Sequence, residues 1–435
     1  MGRSVAKWIR WGGPVVLIAA VLLYIAVYRH WPGYFLQIDV RVYRFGGLRV
    51  LHGLDLYSIG RNGATDDLLF TYTPFAALVF TPLAFVTDYV AQISSIAVTA
   101  VVGVYAVWRM LTSLGVKTSH GLWGLTALLV GLLSWLEPIR LTIQLGQINV
   151  IILAVVVADI LSPATRRWAG IGIGVVAGIK LTPAIFIIYL VLIGRIRAAF
   201  VATATGVATV LIGLALLPSA SRFYWFDRAF DDVKRITRFP PASTSLRGMI
   251  LRLDYPTWIA TALAVVVFVA SLTLAVRAYR RGYALLGISL VGMASCAVSP
   301  FSWSHHWVWF APLVVHLAYR GYVLGSRLSA WTMWAFCAAF AGWMTTLHGA
   351  TPDLGLVMVH PGGVLDDLMP SIYVFVLVAV LVCTAVWLRG HPVHDRDVET
   401  HTATPVTDNS KTTTPTERTA GDLVAPMGFE PTLPP

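Results

Sequence analysis

Charge is scarce in this 435-residue chain. Asp, Glu, Lys and Arg supply only 12% of it, against 57% hydrophobic residues and a mean hydropathy of +0.73. Ordinary soluble domains are about 25% charged, so a water-soluble globule is excluded. Cysteine is rarer still. Cys296, Cys337 and Cys383 are the whole complement; each lies inside an apolar run, without disulfide or metal-ligand spacing, and reads as a small packing residue. No repeat with a period of about 20–50 residues is visible, and no stretch reads as a separate soluble domain. The apolar runs do not alternate, which argues against a barrel. They continue for roughly 17–25 residues, enough for a helix to cross a bilayer core of about 30 Å. What remains is an all-α polytopic membrane protein.

Spans are expected over 11–28, 89–108, 121–136, 143–160, 198–217, 257–276, 283–298, 307–318, 329–347 and 371–388, about ten to twelve transmembrane helices in all. The first is preceded by Arg3, Lys7 and Arg10 and followed by Tyr28-Arg29-His30-Trp31-Pro32, which is no signal-peptide cleavage site. Arg109 and Lys117, Arg166 and Arg167, Arg195 and Arg197, Arg277 to Arg281, Arg320 and Arg327, and Arg389 all fall in alternate short loops that carry no acidic residue. By the positive-inside rule those loops and both termini are cytoplasmic. The loop holding Asp39, the 137–140 turn, the 218–256 loop, the 299–306 segment and the 348–370 loop are then external. Two stretches resist simple counting. Residues 169–193, interrupted by Lys180 and Pro183, read as a hairpin of two short helices or a re-entrant pair returning to the cytoplasm. Residues 75–86, with Pro82, read as a re-entrant or interfacial segment on the external side. After Gly390 the composition turns to Thr, Pro, Asp and Glu, so a membrane domain over 1–389 is expected to precede a disordered cytoplasmic tail over 390–435.

Asp39, in Ile38-Asp39-Val40-Arg41-Val42-Tyr43, lies just beyond the first span. It is either a solvated loop aspartate or a base held at the membrane rim with arginines close by. The expected external loops are unusually cationic: five arginines in 29–61, and Arg222, Arg228, Lys234, Arg235, Arg238, Arg247 and Arg252 against four aspartates in 218–256. Contact with anionic headgroups explains such cations at about 1 kcal/mol each; so does a phosphate-bearing substrate, which matches the arginine fork. Around Arg247 and Arg252 the hydroxyls of Ser243-Thr244-Ser245 favour the second explanation. Lys180 within an apolar segment costs about 2.5–3.5 kcal/mol unless it snorkels or faces a polar cavity. Arg140, Gln144, Gln147 and Asn149 make a polar stripe entering a helix, fit to glue helices together or to bind sugar hydroxyls. His305 and His306 stand between Trp303 and Trp307. Adjacent side chains on a helix diverge by about 100°, and no Cys or Glu sits at ligand spacing, so no metal is expected. An imidazole there suits a phosphate or a sugar hydroxyl.

Asp39-Val40-Arg41-Val42-Tyr43, Asp55-Leu56-Tyr57, Thr71-Tyr72-Thr73-Pro74-Phe75, Gly146-Gln147-Ile148-Asn149, Gly178-Ile179-Lys180-Leu181-Thr182-Pro183 and Ser299-Pro300-Phe301-Ser302-Trp303-Ser304-His305-His306-Trp307 occur in that order. With these motifs the chain resembles the polyprenol-phosphate-mannose-dependent α-(1→2)-mannosyltransferases of actinobacteria, glycosyltransferase family 87 with the GT-C membrane fold, over about 11–388. The resemblance implies inverting mannosyl transfer at the outer face of the plasma membrane, without metal or cofactor. The donor would be polyprenyl-phosphate-mannose. The acceptor would be a mannosylated glycolipid, either a lipomannan or lipoarabinomannan branch or a phosphatidylinositol mannoside. By similarity Asp39 is the general base. Lys180, His305 or His306, Arg247 and Arg252 are candidates for the donor phosphate and sugar, and Arg41, Tyr43, Arg140, Gln144, Gln147 and Asn149 for the acceptor. Where relatives often show Asn-Gln-Ser-Leu, this chain reads Ser243-Thr244-Ser245-Leu246. Competing readings are a lipid-linked-sugar flippase, which needs access from both faces, and a sister GT-C enzyme using another lipid-linked sugar.

Overall fold

The computed structural model describes residues 3–58, 69–117, 119–228, 243–348 and 351–390. The expected tail after Gly390 lies outside them, as do Lys234, Arg235 and Arg238. Uninterrupted apolar sequence satisfies its own backbone as helix, and five helices among the described residues are long and apolar enough to cross a membrane. They are Trp8–His30, Asp88–Ser113, Ile196–Leu216, Thr257–Arg280 and Val364–Gly390. Their outward faces carry bare apolar side chains such as Leu22, Val101, Phe200 and Val266, which only a lipid environment accommodates. The protein is a helical, polytopic, membrane-embedded one.

The elements that position the site are α1 (Arg3–His30), α2 (Ile38–Leu51), α3 (Pro74–Phe80), α4 (Asp88–Ser113), α5 (His120–Ser134), α6 (Glu137–Leu145), α7 (Asn149–Ile160), α8 (Ile171–Ile179), α9 (Ile185–Leu192) and α10 (Ile196–Leu216). Four more complete the set used below: α11 (Pro218–Arg222), α12 (Leu246–Arg252), α13 (Thr257–Arg280) and α14 (Ala284–Val298). The chain over 169–193 is a hairpin of two short helices. Gly170, Gly174 and Gly178 lie along α8 where a Cβ would meet Ala198 O at 2.1 Å, Ala202 O at 2.5 Å and Thr209 Oγ1 at 2.1 Å. This small-residue stripe lets α8 run parallel to α10 at backbone contact. The chain then turns at Lys180 through Thr182–Ala184, and α9 returns it, so that Arg195 donates to the carbonyl of Ile160 at the far end of α7. Lys180 is the C-terminal cap of α8, where that turn opens.

Two expected spans are corrected. The run 143–160 is not one helix: α6 stops at Leu145, Gly146 is left-handed at φ 73°, and α7 begins at Asn149. Gln144 and Gln147 therefore do not share a helical face. A Cβ on residue 146 would also sit 2.8 Å from Gln37 Oε1, so glycine is needed for both conformation and space. The run 329–347 ends as helix at Ala339, in the helix Arg327–Ala339, and a β-hairpin follows, Met344–His348 antiparallel to Thr351–Leu354. The reason is backbone pairing. Glu137 N–H donates to Phe340 O at 2.9 Å and Gly342 N–H to Trp135 O at 3.0 Å, partners that a continuing helix would have to give up.

Candidate functional site

The site is assembled at the start of α2. Gln37 takes a left-handed backbone (φ 46°), and its N–H donates to Gln144 O at 3.0 Å, while its side-chain amide donates to the Ile143 carbonyl. These bonds pin the entry of α2 to the end of α6 and put Asp39 in the first turn, where the helix dipole favours a carboxylate. The opposite side of α2 is lashed to α4. Arg44 pairs with Asp88 at 3.0 Å, and Arg41 reaches the Gln92 amide oxygen at 2.7 and 2.9 Å once that amide is turned to meet it. Arg41 is thus engaged with α4.

Gln147 is the hub. Its Oε1 accepts from the Tyr43 hydroxyl at 2.9 Å and from the Tyr72 hydroxyl at 3.0 Å, and the two hydroxyls lie 2.8 Å apart. The Asp39 carboxyl feels both the Gln147 side chain and the Lys180 ammonium. Burial pushes the Asp39 carboxyl up to about 6; the Gln147 hydrogen bond and the Lys180 charge restrain the rise. Lys180 Nζ donates to Asn149 Oδ1 at 3.0 Å, and Asn149 Nδ2 donates to the His305 carbonyl at 2.9 Å. Thr142 donates to the same carbonyl at 3.2 Å. The Lys180 ammonium and the His305–His306 segment are thereby joined through the buried Asn149 amide.

The His305 ring stacks on Trp303 at 6.1 Å, and its Nε2 is buried without a hydrogen-bond partner. His306 Nδ1 accepts the Trp303 N–H at 3.3 Å. Burial, reinforced by the Lys180 charge, holds both imidazoles well below the ordinary histidine range. A neutral His306 ring that accepts at Nδ1 carries its proton on Nε2, ready to donate to an anion. A cavity beside it is lined by Lys180, Asn149, Thr182, Cys296, Ser302 and His306, among others. The Ser243–Arg247 stretch is tied to the same segment: Thr244 N–H donates to Ser302 O at 2.7 Å, and Trp307 Nε1 donates to Thr244 Oγ1 at 2.9 Å.

The sequence-predicted residues divide. Asp39, Tyr43, Gln147, Lys180, Asn149, His305 and His306 are brought together. Arg247 is half-buried on the neighbouring turn of α12, with no hydrogen bond or ion pair to a described residue. Arg252 is committed to protein: its Nη1 donates to Ser243 O at 2.6 Å, its Nε to Asp367 O at 2.7 Å, and its Nη2 to Ser371 Oγ. Arg140 is wholly buried elsewhere, donating to Leu354 O at 2.6 Å over the Tyr34 ring. Gln144 Oε1 is buried without a partner. Tyr72, Thr244 and Ser302 were not singled out as site residues. Tyr72 had one signal, its place just before Thr73-Pro74, where Thr73 caps α3 by accepting the Ala76 N–H at 3.1 Å.

A helical membrane bundle that sets an ammonium and a neutral imidazole on one cavity, with a carboxylate within electrostatic reach of that ammonium, is built as an integral-membrane enzyme of the GT-C type. Residues 70–300 match glycosyltransferase family 87, and the chain belongs to that family. It is 34% identical, over 68% of its length and 72% of the relative's, to a polyprenol-phosphate-mannose-dependent α-(1-2)-phosphatidylinositol mannoside mannosyltransferase of Mycolicibacterium smegmatis. A phosphatidylinositol pentamannoside mannosyltransferase of the same organism, with the same dependence and linkage in its name, is 33% identical over 78% of this chain and 83% of its own. The corresponding phosphatidylinositol mannoside mannosyltransferase of Mycobacterium tuberculosis is 30% identical over 74% of this chain and 78% of its own. No solved structure matches.

Proposed function

We propose that this protein transfers mannose from polyprenyl-phosphate-mannose to the 2-hydroxyl of a mannose on a phosphatidylinositol mannoside, at the outer face of the plasma membrane, with both termini cytoplasmic. The relatives' names favour that acceptor over a lipomannan branch. In the proposed step the acceptor oxygen bonds to the anomeric carbon as the bond from that carbon to the phosphate oxygen breaks. The hydroxyl proton passes to Asp39 and the electron pair leaves with the polyprenyl phosphate. Attack opposite a β-phosphate yields an α-linkage. Lys180 and the Nε2–H of His306 stabilise the charge on the departing phosphate, and Arg247 adds a second cation.

The observation that carries this reading is Asp39 itself. It is a carboxyl raised to about 6, placed in the first turn of α2 within electrostatic reach of Gln147 and Lys180. Such a group is deprotonated at neutral pH yet basic enough to take a hydroxyl proton in the transition state. The test is transfer by purified protein given both substrates. Asp39→Asn should remove turnover, and normal turnover by that variant would dismiss Asp39 as the base.

A further inference from the structure

We infer that Thr244 is a positioning residue for His306: it braces the turn over 302–307 so that the ring keeps its proton on Nε2 beside the cavity. This inference rests on the proposed role of His306 at the departing phosphate. The turn has little regular structure of its own. α14 ends at Val298, a single 3₁₀ turn covers Ser304–His306, and the next helix begins at Phe310. Its support comes from Thr244, 58 residues from Ser302 in the chain. The Thr244 N–H and hydroxyl both donate to the Ser302 carbonyl, at 2.7 and 2.9 Å, which fills the two lone pairs of that oxygen. Trp307 Nε1 donates to the Thr244 hydroxyl oxygen at 2.9 Å. Thr244 thus grips the turn at both ends, with His306 between. It is 1% exposed and does not line the cavity, whereas Ser302 and His306 do.

One peptide unit carries the effect to the ring. The Ser302 carbonyl and the Trp303 N–H belong to the same planar group and point in opposite directions. Holding the carbonyl at Thr244 therefore aims the N–H, which donates to His306 Nδ1 at 3.3 Å. Ser302 Oγ lies 3.4 Å from the same nitrogen. A backbone N–H can only donate, so Nδ1 is bare and the ring proton sits on Nε2. The brace is itself anchored to α12. Ser245 Oγ accepts the Gly248 N–H at 3.2 Å, and Arg252 Nη1 donates to Ser243 O at 2.6 Å. Thr244 acts on the reaction only through the imidazole.

The experiment measures kcat and KM for purified Thr244→Val, Thr244→Ala and Thr244→Ser, each alone and combined with His306→Ala, using polyprenyl-phosphate-mannose and a phosphatidylinositol mannoside. Valine and alanine lack the hydroxyl but keep the N–H, and their different volumes separate a packing fault from loss of the bond. Misplacing a catalytic group by about 1 Å costs about 10²-fold; with one bond to Ser302 retained, both variants should lower kcat by about tenfold up to that limit, at an unchanged acceptor KM. Thr244→Ser keeps both bonds and should match the wild type. Once His306 is alanine, none of the three should lower kcat further, because residues acting through one group are not additive. The acid limb of the pH–rate profile, governed by Asp39, should stay in place throughout. Equal losses with and without the imidazole would overturn the inference, as would a Thr244→Ser variant as slow as Thr244→Val. A raised acceptor KM at normal kcat would also overturn it and make Thr244 a substrate ligand. Full turnover by His306→Ala would instead end the proposed role of that imidazole, and the brace with it, whatever the single Thr244 variants do.

Discussion

Glu137 and Asp39 are both carboxyls driven upward by burial, to about 7 and about 6, and each sits in the first turn of a short helix, α6 and α2. Their settings differ. Glu137 is 0% exposed; its Oε2 accepts the Val357 N–H at 3.5 Å, and Gly355 fits against it where a Cβ would come within 2.5 Å. Three residues on, Arg140 clamps the Leu354 carbonyl. Every one of these partners is backbone or core, and together they fasten the chain over 342–358 onto α6. Asp39 is part-exposed, its partners are an amide and an ammonium, and the lysine that acts on it lines a cavity. The lesson is that a raised carboxyl registers desolvation alone. Chemistry requires, in addition, access for a substrate and a counter-charge placed for the product.

The sharpest way to break the comparison is Asp39→Asn. A positioned base contributes about 10²–10⁴-fold, so kcat should fall by at least that order. Stability should not fall, because the substitution removes a carboxylate that burial penalises; the melting temperature in detergent should be unchanged or higher. A variant that loses activity only by unfolding would make Asp39 a structural residue like Glu137.

The pH dependence of the wild-type enzyme is the next largest effect. Only the carboxylate accepts a proton, so kcat/KM should rise with pH to a plateau with a midpoint near 6, losing about tenfold per unit below it. A profile flat down to pH 4 would mean that Asp39 is not the titrating base.

The two arginines of α12 extend the contrast to single residues. Arg252→Ala strips three hydrogen bonds, one to Ser243 and two that join α12 to Asp367 and Ser371, and should cost about 2–3 kcal/mol of stability. Arg247→Ala removes no bond to a described residue and should leave the melting temperature in place while raising the donor KM about tenfold. Thermal melts and donor titrations on the pair check both. Exchanged outcomes would assign the phosphate to Arg252.

How much of this was legible in the sequence follows from where each signal resides. The long helices were, because an apolar run of sufficient length needs nothing beyond its own backbone. The break at Gly146 and the helix end at Ala339 were not, because they depend on bonds to Gln37 and Glu137, distant in the chain. Asp39, Lys180 and the two histidines stood out as ionisable residues beside or within apolar sequence. Gln147 and Asn149 were visible as polar residues, but their partners were not, since an amide that binds sugar and one that accepts from two tyrosines or a lysine read alike in one dimension. Tyr72 was visible only as part of a motif. Arg140 and Arg252 show the converse: a cation in a loop advertises charge, whereas its actual partners, the Leu354 and Ser243 carbonyls, carry no charge to be noticed.

Glu137→Gln is the smallest expected effect and the most discriminating for the closed cluster. A carboxyl whose folded pKa is about 7 and whose unfolded value is about 4.3 binds more protons when folded between those limits. Its contribution to stability is therefore greatest below the unfolded value and declines as pH rises through 7. Glutamine keeps an oxygen for the Val357 N–H and cannot ionise. The variant should match the wild type at pH 5 and exceed it slightly in melting temperature at pH 8, with kcat and the position of the acid limb unchanged at both. Should Glu137→Gln shift that limb or cut kcat by more than a few-fold, the clamp and the site would be one electrostatic unit, and the distinction between the two clusters would fail.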